Sequence, residues 1–135
     1  MIMDGQGGGI GSTVIKALRA VAGGSIDIYA LGTNSTATSR MMKAGANRGA
    51  TGENAIVQTI PRADVIIGPL AILMAHAMMG EVTPKMAEAV SASGAQKILI
   101  PLTQEKVTVV GVSPDPLPHL VERAVEIMMK CAESR

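Results

Sequence analysis

The chain opens Met1-Ile2-Met3-Asp4-Gly5-Gln6-Gly7-Gly8-Gly9-Ile10-Gly11, and five of the seven residues from Gly5 onward are glycine. This cluster lies between a short apolar run and a stripe at helical spacing: Ile10, Val14, Ile15, Leu18 and Val21. Fixing glycine costs backbone entropy. A cluster of it here marks a strand-to-helix turn whose backbone comes close to something, commonly a phosphate on the free N–H groups of the helix start. Met1 to Met3 is then the end of a first strand. Buried strands usually run to about five or six residues, so the start reads as clipped, or as completed by a partner edge.

Onward from the loop, Gly23-Gly24 closes the first helix. Residues 25–31 alternate Ile26 and Ile28 with Asp27 and Tyr29, a second strand that leaves through Gly32-Thr33-Asn34. Asn34 or Ser35 caps a helix running to Ala44. Residues 45–52 are glycine-rich without a period and read as a loop, after which a short helix begins that Pro61 closes. Residues 64–67 form a third strand with Gly68-Pro69 as its exit, and residues 70–79 read as a helix apolar almost all round. Thr83-Pro84 starts the next helix, with Thr as cap and Pro in the first turn. Residues 97–102 and 107–112 read as two further strands. The link between them is too short for a crossover helix, which predicts an antiparallel hairpin. Pro114-Asp115-Pro116 precedes a last helix over residues 117–132.

Strand–helix alternation predicts one α/β domain over residues 1–135. Its form is a three-layer Rossmann-like sandwich with a mostly parallel sheet of about five strands and an antiparallel C-terminal hairpin. In such sheets the ligand crevice lies at the carboxyl ends of the strands. The exits collected there are residues 4–11, 32–35, 68–70 and 101–104.

Composition narrows the class. Hydrophobic residues make up 47% of the chain, yet Tyr29 is its one aromatic residue, so Ala, Val, Ile, Leu and ten Met must build the core. Small aliphatic side chains suit a parallel sheet under closely packed helices. A net charge of +1 provides no basic face for nucleic acid, and one ring provides no stacking platform. Cys131 has no partner for an internal disulfide, which fits a reducing cytoplasm. Secretory-signal patterning is absent, and the longest apolar run, residues 68–80, is too short to span a bilayer. A soluble cytoplasmic protein is expected, with no nucleic-acid or membrane partner.

The glycine loop fails the strict G-x-G-x-x-G spacing, which meets Ile10 or Ser12 at its third glycine. It fits G-x-x-x-G-x-G as Gly5, Gly9 and Gly11. There it resembles the cofactor loop of short-chain dehydrogenases, including the Gly9-Ile10-Gly11 ending, and the resemblance implies NAD or NADP. It stops at the loop. That family's Tyr-x-x-x-Lys is absent, since Tyr29 is followed four residues on by Thr33. No carboxylate ends the second strand either, leaving Asn34 for a ribose hydroxyl and Arg40 or Arg48 for a phosphate. Residues 6–13 also resemble the deviant phosphate loop of partition-type ATPases, with Ser12 where the lysine belongs. Asp4 suits neither, because a carboxylate repels a phosphate unless a cation intervenes.

Several longer stretches carry a wider resemblance: Asp4 to Gly11, Gly32-Thr33-Asn34 through Thr51-Gly52-Glu53-Asn54, Ile66-Ile67-Gly68-Pro69, Gly80 to Ala87 and Lys97 to Pro101. Together they resemble a family of short bacterial proteins known only as a domain of unknown function with a Rossmann-like look. The resemblance covers nearly the whole chain. It implies the fold and hints at a nucleotide, and it supplies no activity and no catalytic residues.

The candidate cofactor-binding group is therefore Gly5, Gln6, Gly7, Gly8, Gly9, Ile10, Gly11, Thr33, Asn34, Gly68 and Pro69. Asn47, Arg48, Glu53 and Asn54 form a second polar group, read as a lid or, more plainly, as a capping box. His76 reads as a core or interface histidine and His119 as solvated. Neither has a companion at ligand spacing, so no metal is expected. Ser12 and Thr13 lack an evident base. The methionine pairs 41–42, 78–79 and 128–129 fill the core, with one member of each free to turn outward. The apolar helix over residues 70–79 predicts a homodimer or higher homo-oligomer. Function is expected to be binding of a nucleotide or other small phosphorylated ligand at the glycine loop, with no reaction assigned. The alternatives are a non-enzymatic regulatory or assembly protein that keeps the fold without ligand, and a degenerate P-loop-type nucleotide binder.

Overall fold

The computed structural model describes residues 1–134. Five strands form one parallel sheet in the order β3-β2-β1-β4-β5. They are β1 (Ile2–Asp4), β2 (Tyr29–Gly32), β3 (Arg48–Thr51), β4 (Val65–Pro69) and β5 (Gln96–Ile100). The helices between and after them are α1 (Gly9–Ala22), α2 (Ser35–Lys43), α3 (Glu53–Thr59), α4 (Pro84–Ala92) and α5 (Leu117–Glu133). Successive strand residues face opposite sides, which divides the core in two. Ile2, Ala30 and Ile67 face Val14, Ile15 and Leu18 of α1, Met41 of α2 and Val121 of α5. Met3, Leu31 and Ile66 face Ile56 of α3, Ile72, and Met86 and Val90 of α4. The three-layer α/β architecture expected from the sequence is thus present, with methionines filling the space aromatic rings would take.

Several local expectations hold closely. Asn34 caps α2, its Oδ1 accepting from the Ala37 N–H at 2.8 Å, and Thr83 caps α4 through the Met86 N–H. Gly23 ends α1 at a positive φ of +58° as glycine can, but its ψ of −132° takes it out of the left-handed helical conformation expected there.

Three expectations are corrected. The glycine-rich stretch read as a loop contains β3, whose Arg48 to Thr51 pair in register with Tyr29 to Gly32. It is an edge strand with mostly exposed residues, so it has no need of the apolar alternation that betrays a half-buried strand. The antiparallel hairpin is absent. Residues 107–112 form no strand, β5 is the sheet's outer edge, and Gly111 sits at φ +88° in a turn. Residues 70–79 are not an α-helix: Leu70–Leu73 is one 3₁₀ turn, and the chain then runs through tight turns to Gly80. The homo-oligomer expected from an apolar helix at this place loses its premise.

Candidate functional site

Strand order reverses between β1 and β4, because β1 leads out through β2 and β3 and the chain returns to β4 on β1's other side. Crevices in parallel sheets form at the carboxyl ends beside such a switch point. Asp4 lies opposite Gly32 and Gly32 opposite Thr51, so these three strands end level. A cleft of about 510 Å³ opens there, walled by Asp4, Gly5, Gln6 and Ile10 on one side and Pro69, Ala71, His76, Met78 and Met79 on another. Leu102 to Glu105 close the third side, and the Glu105 carboxylate accepts a 2.9 Å hydrogen bond from the Met78 N–H. Its volume is within the range of small-molecule sites. A smaller cavity of about 360 Å³, lined by Ile26, Asp27, Tyr29 and Arg62 among others, lies at the opposite, amino ends of the strands, where this architecture does not place ligands.

The backbone around the cleft is unusual. Among the described residues, four other than glycine have positive φ in the left-handed region: Gln6 at 47°, His76 at 70°, Met78 at 57° and Met79 at 56°. All four line this one cleft. Such conformations are uncommon outside glycine and cost of order 1–3 kcal/mol each, and they gather at functional sites.

Two carboxylates organise the loop. Asp4, 4% exposed, accepts from the Gly5 N–H on one oxygen and the Gly11 N–H on the other, both at 2.8 Å. It therefore occupies N–H groups at the start of α1 that a phosphate would otherwise take. Burial pushes the Asp4 carboxyl above its ordinary value, the N–H groups of Gly11, Gly5 and Ile10 offset part of that, and the Glu81 charge adds to the rise. Glu81 reaches in from the turn before α4. Its Oε1 accepts from the Gln6 N–H at 2.8 Å, the Thr33 hydroxyl at 2.6 Å and the Asn34 amide at 2.8 Å. Burial pushes Glu81 up, but the donors on Thr33, Gln6 and Asn34 outweigh it and hold the carboxyl below its ordinary value.

The glycines divide accordingly. A methyl on Gly5 would fall against the Thr33 hydroxyl, 2.6 Å from Met78 Sδ and 2.9 Å from Glu81 Oε1. Gly8, the N-cap of α1, has φ +70° and passes so close to α2 that a methyl would lie 2.9 Å from the Ala37 Cα. Gly7 and Gly9 are different. Their nearest neighbour is Arg40 Nη1, at 3.8 and 3.5 Å from where a methyl would sit, and that nitrogen donates to the Gly7 carbonyl at 3.2 Å. Among the described residues, nothing accepts from the Gly7 or Gly9 N–H.

The structure brings Gly5, Gln6 and Ile10 to the cleft with Pro69, and gathers Thr33 and Asn34 on Glu81. Gly68 lies within β4 opposite Leu99 and away from the cleft wall. The lid group is dispersed. Asn47 accepts from the Ile28 N–H and the Arg19 guanidinium beneath β2, Arg48 begins β3, and Glu53 and Asn54 begin α3 beyond its far end. The capping box is absent too, since the Gly52 cap has no side chain and the Thr51 hydroxyl donates to Thr38 Oγ1. His76 is an exposed cleft residue and not a core one. Ser12 and Thr13 both turn their hydroxyls back onto the Gly9 carbonyl. The sequence did not mark Glu81, Met78, Met79 or Glu105 as site residues. Only the strand exit over residues 101–104 pointed toward this wall.

A parallel α/β sheet with a glycine loop and a cleft at its switch point defines the class. A family model described as a domain of unknown function (DUF3842) matches residues 1–133, and the chain belongs to that family. Neither a curated protein nor a solved structure matches it. Among the described residues, no helix is long and apolar enough to cross a membrane.

Proposed function

We propose that this protein binds a nucleotide or similar phosphorylated small molecule across its glycine loop. NAD and NADP are the first candidates. The phosphate lies on the Gly7 and Gly9 N–H groups beneath Arg40, and the remainder of the ligand enters the cleft. The observation that carries this reading is the coincidence of the switch-point cleft with all four left-handed residues other than glycine. Supporting it are the unused N–H groups of Gly7, in the loop, and Gly9, the first residue of α1, with the Arg40 guanidinium beside them. No base is hydrogen-bonded to Ser12 or Thr13, so no nucleophilic reaction is assigned. Thermal-shift measurements with NAD, NADP, ATP, GTP, flavins and sugar phosphates test the reading. At least one should stabilise the protein, and Arg40→Ala should lose most of that stabilisation. No shift with any of them overturns it.

One observation favours a non-enzymatic assembly protein instead. Nine large hydrophobic side chains are exposed among the described residues, and five of them, Leu102, Val107, Val109, Val110 and Val112, fall in one stretch. Contiguous exposed apolar surface marks interaction sites, and this stretch supplies residues for one. Light scattering with Val110→Lys distinguishes this reading, which requires an oligomer that the substitution dissolves.

A further inference from the structure

Glu81 Oε1 is held by donors from three places: the backbone of the glycine loop at Gln6, the hydroxyl after β2 at Thr33, and the side chain of the α2 cap at Asn34. Three donors from two separate strand exits thus converge on the position of one anionic oxygen. Asn34 is fixed independently of Glu81, because its Oδ1 caps α2 and its amide also donates to the Gln6 carbonyl at 2.9 Å. Gly5 leaves the space through which the Glu81 oxygen approaches. Glu81 itself is carried on the turn containing left-handed His76, Met78 and Met79, so the segment that delivers it is strained.

We infer that Gln6 N–H, Thr33 Oγ1 and Asn34 Nδ2 form a subsite for an anionic oxygen of the ligand, which Glu81 occupies until the ligand displaces it. The inference rests on the proposed binding reading and gives that site an internal competitor. A ligand oxygen and Glu81 Oε1 cannot both sit on three donors that converge on one point. Displacement also removes a negative charge from beside Asp4 and releases the turn at residues 76–80. Apparent affinity is reduced by the fraction of molecules in which the subsite is free.

Amide NMR titrations with inorganic phosphate, and separately with acetate, read the subsite at the Gln6 N–H. In Glu81→Ala, phosphate should shift the Gln6 amide and bind about tenfold or more tightly than to the wild-type protein. A larger gain for phosphate than for acetate assigns the subsite to a phosphoryl oxygen, and the reverse assigns it to a carboxylate. Adding Thr33→Val should remove the gain. Glu88→Gln removes an exposed charge on α4, outside the cleft, without freeing these donors and should behave as wild type. Glu81→Gln keeps the shape and one acceptor, and should show a smaller gain in the same direction should the alanine variant not fold. The inference is overturned if the Gln6 amide of a folded Glu81 variant ignores both anions, or if Glu88→Gln gains equally. That failure would leave Arg40-dependent nucleotide binding intact. Failure of the parent reading would instead show as no nucleotide binding in any variant, with the Gln6 response to phosphate preserved.

Discussion

The Gly11 N–H donates to the Asp4 carboxylate at 2.8 Å, joining the last residue of β1 to the first turn of α1 across the whole glycine loop. The loop is closed from within by this bond and by the Gly5 N–H on the other Asp4 oxygen. Leaving a buried donor without its partner costs about 1–3 kcal/mol. Asp4→Ala should therefore destabilise the protein by roughly 2 kcal/mol or more, since two buried donors lose their partner. Urea denaturation reads this directly.

Asp4 and Glu81 should give opposite pH dependences. The folded-state pKa of Asp4 is raised, so its contribution is fully present below the ordinary aspartate value and is lost as pH rises through the folded value. The folded-state pKa of Glu81 is lowered, so its contribution is present above the ordinary glutamate value and is lost as pH falls through the folded value. Measured between acid and neutral pH, the stability difference between wild type and Asp4→Asn should shrink as pH rises. That for Glu81→Gln should grow. Slopes of the same sign would contradict the placement of the two carboxylates.

The glycines separate by substitution. Gly5→Ala meets Thr33, Met78 and Glu81 and should cost about 1–3 kcal/mol. Gly8→Ala should cost at least as much, because it adds left-handed strain to a backbone clash. Gly7→Ala points into open space beside Arg40 and should stay within about 0.5 kcal/mol of wild type. Equal losses at all three positions would refute the division into packed and open glycines.

Met79 tests the turn that replaces the expected helix. It is 95% exposed with φ +56°, so Met79→Gly should be neutral or stabilising by up to about 1 kcal/mol. In an α-helix the same change would cost about 1 kcal/mol. Ile72, fully buried on the same segment, should lose about 2–5 kcal/mol on truncation to Ala.

What could be read from the chain before folding follows from where the signals are local. The glycine loop, the stripe from Val14 to Leu18, the Asn34 and Thr83 caps and the final helix depend on neighbouring residues, and each lies where expected. β3 escaped because Arg48-Gly49-Ala50-Thr51 has no buried face to impose alternation. Gly49 is there because a methyl would strike Met42 and Thr38 of α2. Residues 107–112 misled in the other direction. Their valines have strand propensity, but propensity needs a neighbouring strand, and none pairs with the outer edge of β5. Residues 70–79 are apolar on every side because their buried members pack under α4 while Met78 lines the cleft. Glu81 was invisible because its three donors are 47 to 75 residues away in the chain.

The central claim is that a phosphorylated ligand spans the open glycines and the cleft together. A heteronuclear NMR titration with ADP, following the Gly7 and Gly9 amides and the methyl groups of Met78 and Met79, tests it most directly. The account predicts that both sets shift in step and saturate at one ligand per chain. Signals that stay unmoved at millimolar ADP, or shifts confined to residues outside the loop and the cleft, would contradict it.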